Sequence, residues 1–213
     1  MRLHLTISRN GYALVHDPEL ADYYYQKAFK WCDENSVLLD PEIWFDLSEM
    51  YKADIPDPVD EQITCGQWEA VTSERAIYWL RKAANHGFAS AQCVLGDAYR
   101  DGTGVETNFK QAAYWYEKSA QQGYTDAQIA LGWCYESGKG VPKNGAIAVE
   151  WIHKAAEQGS AWGQVSLGFI YQEGICVKKD IEQAIHWYCK AAEQGDRNAF
   201  SSLKDFGIDW NTK

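Results

Sequence analysis

One 36-residue pattern is written three times between Ala91 and Gly195. Ala91, Leu95, Gly96 and Tyr99 recur as Ala127, Leu131, Gly132 and Tyr135, and again as Gly163, Leu167, Gly168 and Tyr171. The same step relates Gly102, Gly138 and Gly174; Ala112, Ala148 and Ala184; Trp115, Trp151 and Trp187; and Lys118, Lys154 and Lys190. Self-similarity with a period between about 20 and 50 residues marks a solenoid, in which a unit buries its apolar face only by stacking on its neighbours.

Each unit holds two helical stripes. Ala91, Val94, Leu95, Ala98 and Tyr99 fall at i, i+3, i+4, i+7 and i+8, which is one face of a helix. Ala112, Trp115, Tyr116, Ser119 and Ala120 repeat that spacing and form a second. Two apolar faces in one unit imply an antiparallel helix pair, so the fold class is all-α. Gly96, Gly132 and Gly168 fall in mid-helix, where glycine costs on the order of 1 kcal/mol relative to alanine, so a close helix approach is expected there. Glycines at 102, 104, 138, 140 and 174 turn the chain after the first helix. Thr72, Asn108, Asn144 and Asp180 then serve as N-caps of the second, and Gln111 and Gln183 complete capping boxes with Asn108 and Asp180.

The pattern loosens outside these units. Residues 1–18 read as an N-terminal cap or tail; Leu3, Leu5 and Ile7 alternate as in a short strand, without a second strand to pair with. Asp17-Pro18 and Asp40-Pro41 are helix starts. Residues 19–87 hold irregular units, with a loop insertion at 53–72 that is either functional or tolerated surface. Phase returns at Ala76, Trp79, Lys82 and Gly87. The array runs over 19–205, with regular units at 91–195. Residues 196–213, with Ala199 and Leu203, read as a C-terminal capping helix and tail.

Composition excludes several functions. Thirty acidic against twenty basic residues leave a formal charge of −10, which opposes nucleic-acid binding. No run is long enough for a membrane span, and the N-terminus lacks a signal-peptide core, so a cytoplasmic location is expected. The six cysteines lie at 32, 65, 93, 134, 176 and 189 without metal-ligand spacing; reduced, mostly buried thiols and no metal or cofactor are expected. None of the five histidines recurs at the repeat period, and His153 and His186 are expected on an outer surface. The glycine loops join helix to helix and lack the strand and Gly-Lys-Ser/Thr ending of a phosphate cradle. No nucleophile and base recur together, and the chain reads as non-enzymatic.

Leu-Gly-x-x-Tyr, then Gly-x-Gly-Val, then Ala-x-x-Trp, then Lys-Ala-Ala-x-x-Gly resembles the Sel1-like repeat, a relative of the tetratricopeptide repeat. Gly132 to Gly159 follows it nearly position by position, whereas Cys176 replaces the second loop glycine and Gly163 the first alanine. The resemblance implies a right-handed α-superhelix that acts as an adaptor for a peptide or protein partner, in signalling or in bacterial stress and host interaction. Cysteine-rich secreted relatives linked to penicillin binding have paired cysteines in every unit; this chain lacks them, and that property is not carried over.

By analogy with tetratricopeptide arrays, the first-helix positions off the core stripe line a concave groove. These are Phe45 and Glu49, then Asp97 and Arg100, Trp133 and Glu136, and Phe169 and Gln172, with Cys93, Ile129 and Val165 on the same face. Trp133 and Phe169 are either partner anchors or packing residues of the neighbouring unit. The competing non-enzymatic reading is a self-assembling or inhibitory protein that works through the 53–72 loop.

Overall fold

Helices follow one another along the chain, each packed against the next. The structure, a computed structural model, describes residues 41, 42, 44, 45, 48, 76–208 and 210; the readings of the N-terminal segment, Glu49 and the 53–72 insertion lie outside these. Residues 76–85 are helical and are termed α1. There follow α2 (Ala89–Asp101), α3 (Phe109–Gln121), α4 (Thr125–Ser137), α5 (Gly145–Glu157), α6 (Ala161–Glu173), α7 (Ile181–Glu193) and α8 (Arg197–Asp205). Among the described residues there is no strand.

The pairs α2–α3, α4–α5 and α6–α7 are hairpins, and α3–α4, α5–α6 and α7–α8 join consecutive units. First helices also touch directly, α4 against α6. The array is therefore an all-α solenoid whose core runs from unit to unit. Cys93, Ala112 and Tyr116 share one apolar cluster with Ala127 and Leu131 of the next unit. Ile152 and Ala156 share another with Leu167, Ile170 and Trp187. At the end, α8 lays Ala199 and Leu203 on Ala184, Tyr188 and Ala191 of α7.

The mid-helix glycines mark where the two helices of a hairpin approach most closely. A Cβ at Gly96 would lie 2.6 Å from the Tyr116 ring, and one at Gly168 2.7 Å from that of Tyr188. At Gly132 it would meet Ile152 at 2.6 Å and the Ala148 carbonyl oxygen at 2.9 Å. Each position thus trades helix propensity for interhelical contact.

The N-caps form as expected: Asn108 accepts from the amides of Lys110 and Gln111, Asn144 from that of Ile147, and Asp180 from that of Gln183. The reciprocal half of the capping boxes is corrected. The amide of Asn108 donates to the Tyr99 carbonyl at 2.7 Å and that of Asp180 to the Tyr171 carbonyl at 2.9 Å. Asn144 does the same with Tyr135 at 2.8 Å. The cap amide ties the loop to the preceding helix and is not available to Gln111 or Gln183.

A chain of glutamines connects the units. Gln92, Gln128 and Gln164 are buried on the first helices and donate to the carbonyls of Ala84, Ala120 and Ala156 of the preceding unit. Their side-chain oxygens accept from Gln122, Gln158 and Gln194 at 2.7, 2.8 and 2.8 Å. Buried amides are retained when satisfied, and here each adds a second donor to a helix-end carbonyl that already accepts from the amide of Gly87, Gly123 or Gly159. On the second helices Lys82, Lys118, Lys154 and Lys190 place their ammonium groups 4.7, 5.6, 4.4 and 4.4 Å from the rings of Trp79, Trp115, Trp151 and Trp187, a cation–π pair on each second helix among the described residues.

Candidate functional site

The first helices carry a second stripe beside the one that faces their hairpin partner. Its N-terminal positions are core: Cys93 and Ile129 are buried and Val165 is half-buried, which corrects their placement on an open face. Burial, with the carboxylates of Asp97 and Asp126 nearby, pushes the Cys93 thiol up to about 12. Past these positions, toward the helix C-termini, the face opens to solvent.

In α2 that open part is a hydrogen-bonded group. The Tyr116 hydroxyl donates to Asp97 Oδ1 at 2.8 Å and accepts from Arg100 Nη1 at 3.1 Å. Arg100 also pairs with Asp97 at 2.8 Å and with Asp101 at 2.7 Å. Hydrogen bonding to Asp101 holds the Arg100 guanidinium firmly charged, and the same contact lowers the Asp101 carboxyl. Burial raises the Tyr116 phenol above its ordinary value, and Asp97 adds to the effect.

The equivalent places in α4 and α6 are filled differently. Trp133 is half-buried and packs with Ile152, Leu167, Ile170 and Trp187, so it joins the core between two units. Glu136 lies 3.6 Å from Lys143. Phe169 is 43% exposed. Gln172 accepts from the Tyr188 hydroxyl at 2.9 Å and donates to Glu173 at 3.0 Å. Where the second helix presents a phenol, as at Tyr116 and Tyr188, the first helix answers with a polar side chain; where it presents Ile152, the answer includes the indole of Trp133. Phe45 is half-buried against Phe88, with ring centroids 5.4 Å apart.

Trp162 was not among the residues expected on this face. It is 50% exposed and lies seven residues before Phe169 on α6, hence on the same face. The helical spacing from Phe169 was the signal that could have found it; repeat comparison hides it, because the equivalents are Ser90 and Asp126.

The thiols also differ from expectation. Of the four described cysteines, none in a disulfide, only Cys93 is buried; Cys134 and Cys189 are half-buried and Cys176 is exposed. Cys176 stands where the earlier loop has Gly140 and keeps a positive φ of 59°. His153 and His186 both meet Trp187, at centroid distances of 5.6 and 5.4 Å, with His186 exposed and His153 partly so. A polar cleft of about 810 Å³ between α1 and the loop before α3 is lined by residues that include Arg81, Tyr99, Glu106, Thr107 and Asn108. Arg81 donates to the Tyr99 hydroxyl at 3.2 Å. No group of three or more His, Cys, Asp or Glu suited to a metal occurs among the described residues. No helix among them is long and apolar enough to cross a membrane.

Comparison with known proteins places this geometry. The Sel1 repeat matches residues 8–30, 73–88, 89–124, 125–160 and 163–196. No curated protein matches the chain. Among solved structures it is similar to c5321, a protective antigen present in uropathogenic Escherichia coli strains that displays an SLR fold. That match has 34% identity and a TM-score of 0.68 over 82% of this chain and 35% of that one. It is also similar to a Sel1 repeat protein from Oxalobacter formigenes, with 37% identity and a TM-score of 0.57 over 67% of this chain and 59% of that one. The chain thus spans less than two thirds of either relative. With matches over most of its length and agreement in fold, the chain belongs to the Sel1 repeat family.

Proposed function

We propose that this chain is a non-enzymatic scaffold that holds a peptide or protein partner along the first-helix face, in a groove lined by the open positions of α2, α4 and α6. Sel1 repeat proteins are generally protein-interaction scaffolds, which supports the class. The observation that carries the assignment to this face is Phe169, a large aromatic side chain left 43% exposed on a first helix. An apolar ring kept in water by a helix that buries its other face is the kind of anchor that interfaces use. Asp97, Arg100, Glu136 and Gln172 at equivalent or adjoining positions supply polar partners around it. Trp133 serves this surface from below by fixing how α4 and α6 sit together.

The test is site-specific photocrosslinking in the source cell. A benzophenone amino acid at position 169 should yield a discrete crosslinked partner, and the same group at Tyr114, exposed on a second helix, should not. Equal crosslinking from both positions, or from Tyr114 alone, would move the working surface off the first helices.

A further inference from the structure

We propose that the partner segment seated on this face is basic, with apolar side chains that cover Trp162 and Phe169 and lysines or arginines that meet the carboxylates around them. This rests on the reading of the first-helix face as the docking surface and names the chemistry of what docks. Trp162 and Phe169 are 50% and 43% exposed. They stand two helical turns apart on α6, roughly 10 Å along the axis, which sets two apolar anchor points in line.

The flanking positions are acidic. In α4 the residue equivalent to Trp162 is Asp126, and in α8 the residue equivalent to Phe169 is Asp205; both are exposed. Glu136 of α4 and the exposed Glu173 of α6 lie toward the C-terminal end of the same face. Among nearby cations, Lys143 pairs with Glu136, and Arg197 and Lys204 of α8 lie one position off the stripe. Two exposed rings within a carboxylate rim select for a segment that alternates apolar and cationic side chains. A second copy of this chain is a poor occupant, because it brings a formal charge of −10 to an already negative face.

The experiment uses the full chain and three fluorescein-labelled peptides of one length: leucine interspersed with lysine, with glutamate, or with serine. Fluorescence anisotropy at physiological salt is read for the native protein, for the Trp162→Ser/Phe169→Ser variant and for the Asp126→Lys/Glu173→Lys variant. All four substituted positions are exposed, and circular dichroism verifies the fold. The lysine peptide should bind at least about tenfold more tightly than the others and lose about tenfold or more in each variant. Comparable binding of the glutamate or serine peptide, lost in the Trp162/Phe169 variant, would overturn the basic partner and leave the docking face standing. Binding of the lysine peptide unchanged in both variants would assign it to overall charge and overturn the inference together with this face. Absence of binding by all three peptides would overturn the basic-segment inference alone, since the crosslinking test of the face uses a different readout.

Discussion

Cys176 fills the space that a side chain at residue 145 would need: a Cβ built on Gly145 would collide with its Sγ and lie 2.6 Å from its Cβ. One unit earlier the roles are reversed. There the loop residue is Gly140, the helix-start residue is Phe109, and a Cβ on Gly140 would run into the Phe109 carbonyl. The glycine has moved from the loop to the helix start between units: the loop meets the helix by main-chain approach at Gly140 and by the Cys176 side chain one unit later.

This contact predicts a coupled pair. Gly145→Ala should cost about 1–3 kcal/mol through overpacking, and Cys176→Gly should restore most of that loss while relieving a non-glycine residue at φ 59°. A double-mutant cycle by urea denaturation measures the coupling; additive effects would mean that the two residues do not share the space.

The two aromatic residues of the expected site should separate. Trp133→Ala removes an indole that packs between units and should cost ~2 kcal/mol or more. Phe169→Ala, at an exposed position, should change stability by less than about 0.5 kcal/mol and weaken partner capture instead. Thermal melts of both variants beside a binding assay verify the division.

Thiol reactivity should follow exposure. Cys176 is exposed, whereas Cys93 is buried with its thiol pushed up to about 12, so little thiolate forms at neutral pH. Brief iodoacetamide treatment of the native protein, followed by peptide mass spectrometry, should label Cys176 first and Cys93 only after denaturation.

Alkaline pH should destabilise the fold. Burial keeps the Tyr116 phenol protonated above its ordinary value of 10.0, and burial raises Tyr188 and Tyr124 as well. An unfolded tyrosine releases its proton near pH 10, before the native one does, so unfolding releases protons there. The stabilising contribution is complete below about pH 10 and declines as pH rises toward the native value. Tyr116→Phe should flatten the decline of melting temperature between pH 9 and pH 11, by about the contribution of one group, while removing the hydrogen bonds to Asp97 and from Arg100, a loss of about 1–3 kcal/mol at neutral pH.

Gly132→Ala should destabilise although alanine is the better helix former. The added methyl would lie 2.9 Å from the Ala148 carbonyl oxygen as well as against Ile152, so α4 and α5 must separate. The expected loss is about 1–3 kcal/mol, read from denaturant midpoints, with Gly→Ala at the exposed Gly159 a poor control because its φ is +87°.

The helices from Ala89 onward were legible because local signals agreed with the repeat: glycines past the helix ends, Asn or Asp at the starts, and apolar spacing that returned in each unit. What a residue on the first-helix face does was less legible. Position 97 is polar and tied to the Tyr116 phenol, position 133 packs in the core beside Ile152, and position 169 is open to water because Gln172 takes the Tyr188 phenol in its place. That depends on a residue about twenty positions away and on the next unit, which periodicity alone does not supply. Trp162 escaped for the converse reason, since it belongs to one unit and not to the repeat. The glutamines were visible as recurring letters, but their pairing needed the stacked geometry.

Those glutamines bear on how such a chain can change in length. Each link joins a side chain to its counterpart in the same unit and to a carbonyl of the one before. Duplication or deletion of a whole unit would leave every remaining amide with an equivalent neighbour. Gain or loss of a fraction would strand buried donors on both sides of the break, so the array can be edited by the module far more readily than by the residue.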